Sequence, residues 1–454
     1  MKYVIIALIA IICIFILITL LSLLIAIINK NHKPKTLKLI ENDRDNDYAE
    51  EVLSLIRINT EIEEGKTLFF KKLKTLFPRV FKCFKLENIG SNICLTYDAK
   101  ENVSHILIVT HMDNLSYDEK AYEDNGEIYG KGTFDSKAYL YVTFKAIEES
   151  LELKGSLNTN LVIAVIDRDE TKEYNGNNQI VNEFLRRGKF FTLVLKEGTG
   201  IIDPSFLGLQ STHALIGVGA TGEMTINFHI PKTKDKKILE KFALETKDIF
   251  KTEIDQYNKR VLKAFGKDMD FMNRLIYLNP YIFKRHIKNE LENNAIEIGK
   301  LLKTHVNFEE IIETGNKYIL KAKYNLASHD IPAEIIRILI PYLNKYKIDY
   351  RVEKIIDPSK FALTTSRGYR IVKKAIIDVF KNVYIVPYIV TKITNRHYFS
   401  KVSDCVIRFS PLYYTHKAIK DAYNGNEHIM KRSLSYGVDF FKKIIDREEK
   451  NVLS

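Results

Sequence analysis

The sequence predicts an α/β protein: a mostly parallel sheet with helices on both faces, interrupted by an inserted α+β domain and preceded by a transmembrane helix. Three observations predict it. Continuous apolar runs such as Ile106–Thr110 (ILIVT) and Leu161–Ile166 (LVIAVI) alternate with segments of helical spacing, the pattern of buried parallel strands joined by crossover helices. Between about residues 216 and 349 this texture gives way to an alternating stretch, Met224–Ile230, then long Lys/Glu-bearing helical segments, then a second strand-like stretch, Tyr318–Leu326. Ahead of everything, Tyr3–Ile28 carries no charge.

At about 1.5 Å per residue that first segment exceeds the roughly 30 Å of a bilayer's hydrocarbon core, so residues 3–28 read as a transmembrane signal-anchor. The run is too long for the core of a cleaved signal peptide, and no small-x-small cleavage site precedes Asn29. A polar stalk, residues 29–44, follows. Lys30, Lys33, Lys35 and Lys38 after the span, against Lys2 before it, argue for a cytosolic body. The sequons Asn102-Val-Ser and Asn114-Leu-Ser argue for a lumenal one. The expectation adopted is a single-pass protein whose body is lumenal, in a secretory or vacuole-like compartment.

The main domain is expected over residues 45–215 and 350–454, with 216–349 inserted as a lid or dimerisation domain. Tyr48–Ile58 and Phe69–Phe77 have helical apolar spacing. The strand Ile106–Thr110, helix Lys137–Leu151, strand Leu161–Ile166, helix Gln179–Arg186 and strand Phe191–Leu195 then make a βαβαβ order. After the insertion come helix Tyr369–Phe380, strand Val383–Val386 and a final helix from His428. In such sheets ligands bind beyond the carboxyl ends of the strands, which makes the polar residues there the candidates for chemistry.

Composition narrows the function classes. Lys and Arg (69) exceed Asp and Glu (57) by 12, but the excess is scattered and forms no basic block; nucleic acid is not expected as a partner. Cys13, Cys83, Cys94 and Cys405 are too few and too dispersed for a disulfide framework or a CxxC zinc site.

The strand ends carry THMD (Thr110–Asp113), DRDETKEYNG (Asp167–Gly176) and LKEGTG (Leu195–Gly200). GEIYGKGTFDSKAY (Gly126–Tyr139) lies between the first two, and NRHYFSKVSDCVIRFSP (Asn395–Pro411) and AYNGNEHI (Ala422–Ile429) follow near the C-terminus. In this order and spacing the motifs resemble the dinuclear zinc exopeptidases and N-acyl-amino-acid hydrolases of the carboxypeptidase S type, relatives of aminoacylase. The resemblance covers nearly the whole chain. It implies a zinc-exopeptidase-like fold and a site in which two zinc ions share a bridging carboxylate while a Glu takes a proton from the bridging water.

Carried over by position, the resemblance makes His111 a metal ligand, Asp113 its orienting partner, Asp135 the bridge and Glu170 the general base. It also implies losses. The remaining ligand positions hold Thr171 (in place of Glu), Lys196 (in place of Asp, in Lys196-Glu197-Gly198) and Tyr423 (in place of His). A unit cation about 4 Å from a dication opposes it by roughly 8 kcal/mol at an effective dielectric of about 20. Zinc is therefore expected to be lost or limited to one ion. Lys196 then either neutralises Asp135 in place of the lost metal charge or points to solvent. Arg396 and His397 remain where the resemblance puts substrate contacts, although Thr394 replaces the Asp of that motif. The expected function is an anchored pseudoenzyme that binds a peptide, an N-acyl-amino acid or a partner protein, with dimerisation through the insertion. The alternative is a diverged hydrolase that cleaves C-terminal or acyl-amide bonds at a single-metal or otherwise altered site.

Overall fold

The computed structural model describes residues 2–30, 35–101, 103–113, 120–167, 176–204, 209–294, 302–358, 361–390 and 396–447; both sequon asparagines lie outside them. Its helices are α1 (Lys2–Ile28), α2 (Asp45–Ile56), α3 (Glu63–Leu76), α4 (Pro78–Cys83), α5 (Lys137–Lys154), α6 (Gly176–Arg186), α7 (Lys237–Thr246), α8 (Gln256–Gly266), α9 (Phe271–Leu278), α10 (Lys284–Asn294), α11 (Pro332–Tyr346), α12 (Arg367–Val379), α13 (Arg396–Phe399), α14 (His416–Tyr423) and α15 (Arg432–Ile445). The strands of the first half are β1 (Lys85–Ile89), β2 (Asn92–Tyr97), β3 (His105–His111), β4 (Tyr122–Asp124), β5 (Glu127–Tyr129), β6 (Leu161–Ile166), β7 (Phe191–Lys196), β8 (Ile201–Ile202) and β9 (His213–Ala220). Those of the second half are β10 (Gly222–Pro231), β11 (His305–Phe308), β12 (Ile312–Thr314), β13 (Lys317–Leu326), β14 (Asp349–Ile356), β15 (Tyr384–Val390), β16 (Val406–Arg408), β17 (Tyr413–Tyr414) and β18 (His428–Met430).

The principal sheet runs β1-β2-β6-β3-β7-β16-β9-β8-β17, with β15 beside β9. Its centre is parallel: β3 pairs with β6 on one side and β7 on the other, and β7 with β16. β1 and β2 add an antiparallel edge. The period of two along each central strand divides the core into two layers. Ile106, Ile108, Leu161, Ile163 and Val165 pack under α2, α3, α5, α12 and α15, while Leu107, Val109, Val162, Ala164 and Ile166 pack under α6 and α13. Both faces of the sheet are thus covered by helices, and the runs that read as buried strands are buried at every position from Ile106 to His111 and from Leu161 to Ile166.

A second sheet, β11-β13-β10-β14 with β12 on β13, is covered by α7 and α11 through Leu239, Phe242, Ile335 and Leu339. Its limits differ from the expected 216–349. β9 keeps the chain in the first sheet as far as Ala220, and β14 pairs antiparallel with β10 as far as Ile356. β14 is mostly exposed, so it carries no apolar run to mark it in the sequence. Helices α8 to α10, though inside the insertion in sequence, pack with β9 and β15 through Val261, Leu262, Phe265, Ile287, Leu215, Val386 and Ile389. The expected helix from His428 is corrected as well. His428–Met430 pairs with β5 as a strand, and the last helix starts at Arg432.

Cys13 and Cys83 are exposed, Cys94 and Cys405 are buried, and none forms a disulfide. Burial, aided by Glu87, pushes the Cys94 thiol up to about 12, and the thiolate is the reactive form. Cys83 is therefore expected to react with iodoacetamide at pH 8 while Cys94 and Cys405 react only after denaturation, as peptide mapping of the labelled chain would show.

Candidate metal centre

Parallel pairing brings two strand ends to the same rim. β3 ends at His111 and β7 at Lys196, with Val109 opposite Lys196 in the ladder. Asp135 arrives from the segment that leads into α5, where the hydroxyls of Ser136 and Thr110 meet at 2.9 Å and tie the start of the helix to β3. The Asp135–Ser136 peptide bond is cis.

His111 is fully enclosed and lies between two carboxylates. Its Nδ1 lies 3.0 Å from Asp113 Oδ1 and its Nε2 3.0 Å from Asp135 Oδ1, both at hydrogen-bond distance. Burial by itself lowers the imidazole pKa, but these two hydrogen bonds outweigh it and hold the group well above its ordinary value. Without an ion the two flanking carboxylates favour the protonated ring. Asp113 meets Nδ1, the ring nitrogen that Asp135 does not.

Glu197, a residue the sequence reading passed over, completes the cluster. His111, Asp135 and Glu197 each offer a ligand atom, all within 4.8 Å of one another. Glu197 is 2% exposed, and among the described residues its Oε2 has no hydrogen-bond partner. Burial raises its carboxyl pKa against the opposing pull of Lys196, His111 and Arg408. Arg408, on β16, holds it from behind, with Nε donating to the Glu197 carbonyl at 2.6 Å and a guanidinium nitrogen 3.4 Å from Oε1. The approach is close enough that a Cβ on Gly198 would lie 2.6 Å from that of Arg408, which gives the glycine of Lys-Glu-Gly its reason.

Lys196 is 2% exposed, so the solvent-facing alternative does not hold. Its ammonium lies 3.4 Å from Glu197 Oε1, while Asp135 has His111 as its described ion-pair partner. A further carboxylate, Glu427, accepts from the backbone amides of Gly132 at 2.8 Å and Phe134 at 3.0 Å, and so fixes the loop that delivers Asp135. The motif Asn-Glu in Asn426-Glu427 was its only sequence signal.

Glu170 and Thr171 lie outside the described residues. Arg396 and His397 open α13 and Tyr423 ends α14; their side chains lie outside the described set. His428 does not substitute for the missing ligand: its ring faces Glu127 at 3.0 Å and Asp421 at 3.2 Å and stacks on Tyr129.

The donor set fits one divalent ion. An imidazole and two carboxylates suit zinc, and Glu197 supplies a buried oxygen that no described residue hydrogen-bonds. The second position of a dinuclear site falls on Thr171 and the Tyr423 side chain only by the resemblance, and both lie outside the described residues.

A model of Peptidase family M20/M25/M40 matches residues 107–447. A probable carboxypeptidase S-like 2 of Dictyostelium discoideum is 23% identical over 92% of this chain and 83% of its own length. The N-fatty-acyl-amino acid synthase/hydrolase PM20D1 of Xenopus tropicalis is 22% identical over 93% of this chain and 89% of its own. Among solved structures, the M20 family metallo-carboxypeptidase Sso-CP2 of Sulfolobus solfataricus aligns with a TM-score of 0.62 at 15% identity, covering 89% of this chain and 98% of that one. At that identity the likeness is one of fold.

Proposed function

The chain belongs to Peptidase family M20/M25/M40, and from that premise we propose that it is a membrane-anchored member that binds peptides or N-acyl-amino acids without the family's two-metal hydrolysis. The observation that carries this is the buried ammonium of Lys196, 3.4 Å from Glu197, together with hydroxyl side chains at both other lost positions. One helix among the described residues, α1, is long and apolar enough to cross a membrane, which supports the anchoring. A dimer through the insertion belongs to the same proposal.

Zinc bound by His111, Asp135 and Glu197 would polarise a substrate carbonyl. The protein's own groups set the terms for that site. Asp113 fixes the ring of His111, Glu427 fixes the loop of Asp135, and Arg408 fixes Glu197. Lys196 supplies the positive charge that keeps Glu197 compensated when no ion is present, and it opposes any ion that enters. Glu170, which the resemblance assigns to the base position, would with a single ion have no water held between two to serve. A second reading, a hydrolase working with one metal, is favoured by the survival of a three-donor set.

The purified full chain is expected to hold no more than one zinc and to show no turnover of dipeptides or N-acyl-amino acids, while an N-acyl-amino acid raises its unfolding temperature. Elemental analysis, a hydrolysis assay and a thermal-shift titration check these. Two tightly held zinc ions would refute the proposal. Turnover lost in Glu170→Gln would establish the single-metal hydrolase instead.

A further inference from the structure

The C-terminal end of α1 is built into the body. Residues 10–21 are all exposed, and contact with the body begins at Ser22, which with Ala26 is buried against α9. Arg274 of α9 is itself buried and donates through Nε to the Ala26 carbonyl at 2.8 Å, so it caps one of the carbonyls a helix end leaves unsatisfied. Asn279 donates to the Ser22 carbonyl at 3.3 Å. From Tyr3 to Leu21 the helix measures about 28 Å, one hydrocarbon thickness. Its last turns, and α9 beside them, then stand at the level of the lipid headgroups.

At that level the body has the chemistry of an anionic membrane surface's partner. A cavity of about 300 Å³ opens between Ile25 and Asn29 of the anchor segment and Arg260, Lys263 and Lys267 of the α8 segment. Among the described residues none of these three cations has an acidic ion-pair partner. Lys263 has its pKa lowered by burial and by the neighbouring charges of Lys259 and Lys267, a cluster that an anion would relieve. Alongside, Phe271, Met272, Tyr281 and Ile282 are 42%, 63%, 69% and 52% exposed, a row of apolar and aromatic side chains of the kind that settles at a membrane interface.

We propose that the α8–α9 hairpin is a membrane-docking surface: Arg260, Lys263 and Lys267 bind the phosphates of anionic phospholipids around the anchor, while Phe271, Met272, Tyr281 and Ile282 sit among the headgroups and upper acyl chains. The occupant is lipid because the face is continuous with the anchor and its unpaired charge is positive. The proposal rests on α1 spanning the bilayer, and it goes beyond the reading of the metal centre, on which it does not depend.

The test uses the full chain in lipid nanodiscs, with a fluorophore on Met272→Cys in a Cys13→Ser, Cys83→Ser background and brominated acyl chains as quenchers. Quenching is expected to be several-fold stronger when phosphatidylserine is present than in phosphatidylcholine alone, and to weaken with salt. A basic residue near an anionic surface is worth about 1 kcal/mol, roughly a factor of five. Replacing Arg260, Lys263 and Lys267 by Gln is therefore expected to reduce the docked-to-undocked ratio on the order of a hundredfold, and replacing them by Glu to abolish the lipid preference. Equal quenching in both lipids, or no effect of the Gln variant, would overturn the anionic recognition. No quenching in either lipid, or a signal that changes with protein concentration as a second copy covers the face, would overturn the docking. Extraction of the chain by alkaline carbonate would show instead that the spanning premise has failed.

Discussion

Lys196→Met is expected to lower the unfolding free energy of the metal-free protein by about 3 kcal/mol, the lower end of the range for breaking a buried ion pair, because Arg408 still faces Glu197. The ammonium and the carboxylate are each almost completely buried, so its removal leaves charge with too little compensation. The same substitution removes the cation that opposes a metal ion. Zinc at a hundred times its dissociation constant is then expected to return about 2.7 kcal/mol to the variant, with little effect on the parent. Denaturant unfolding with chelator and with zinc measures both. A midpoint shift no larger than that of a surface lysine variant, or equal zinc stabilisation of both proteins, would show that Lys196 has neither role.

Glu427→Ala is the second large effect. It leaves the amides of Gly132 and Phe134 without their acceptor, and charge-assisted hydrogen bonds of this kind are worth about 1.5–3 kcal/mol each when buried. Since the carboxylate is partly accessible, a combined loss of roughly 2–4 kcal/mol is expected. Metal affinity should fall with it, because the loop of Asp135 loses its fixed position, by the 10–100-fold typical of lost supporting contacts. Glu427→Gln keeps an acceptor and is expected to lose less of both. If stability fell while zinc binding held, Glu427 would be a structural brace without influence on the site.

The sheet was largely legible because the buried strands announce themselves. β6 falls on Leu161–Ile166 as read, and β3, β7, β10 and β13 differ by a residue or two. What escaped was short or exposed. β16 and β18 have three residues each, too few for any periodicity, yet β16 carries Arg408 to Glu197 and β18 turns His428 away from the metal donors. Family position assigned a single ligand to the Lys-Glu-Gly motif, and the loss at Lys196 hid the retention next to it. Alternation along a strand would put residues 196 and 197 on opposite faces. β7 ends at Lys196, however, so Glu197 lies beyond the ladder and is free of that rule. Conversely, Lys196 was expected to pair with Asp135, and the carboxylate described beside it is that of its chain neighbour Glu197.

The brace at Glu427 joins positions 295 residues apart in the chain, and Arg408 reaches Glu197 across 211. Synthesis proceeds from the N-terminus, and early segments fold first. While the ribosome is still adding the last tenth of the polypeptide, His111 and Asp113 already have their strand, yet the loop of Asp135 has no acceptor for its amides and β5 has no partner in β18. The donor set therefore lacks its brace on a nascent chain. Any metal capture would then belong to the finished polypeptide, and a chain truncated before Glu427 is expected to hold an ion at least roughly 10–100-fold less tightly.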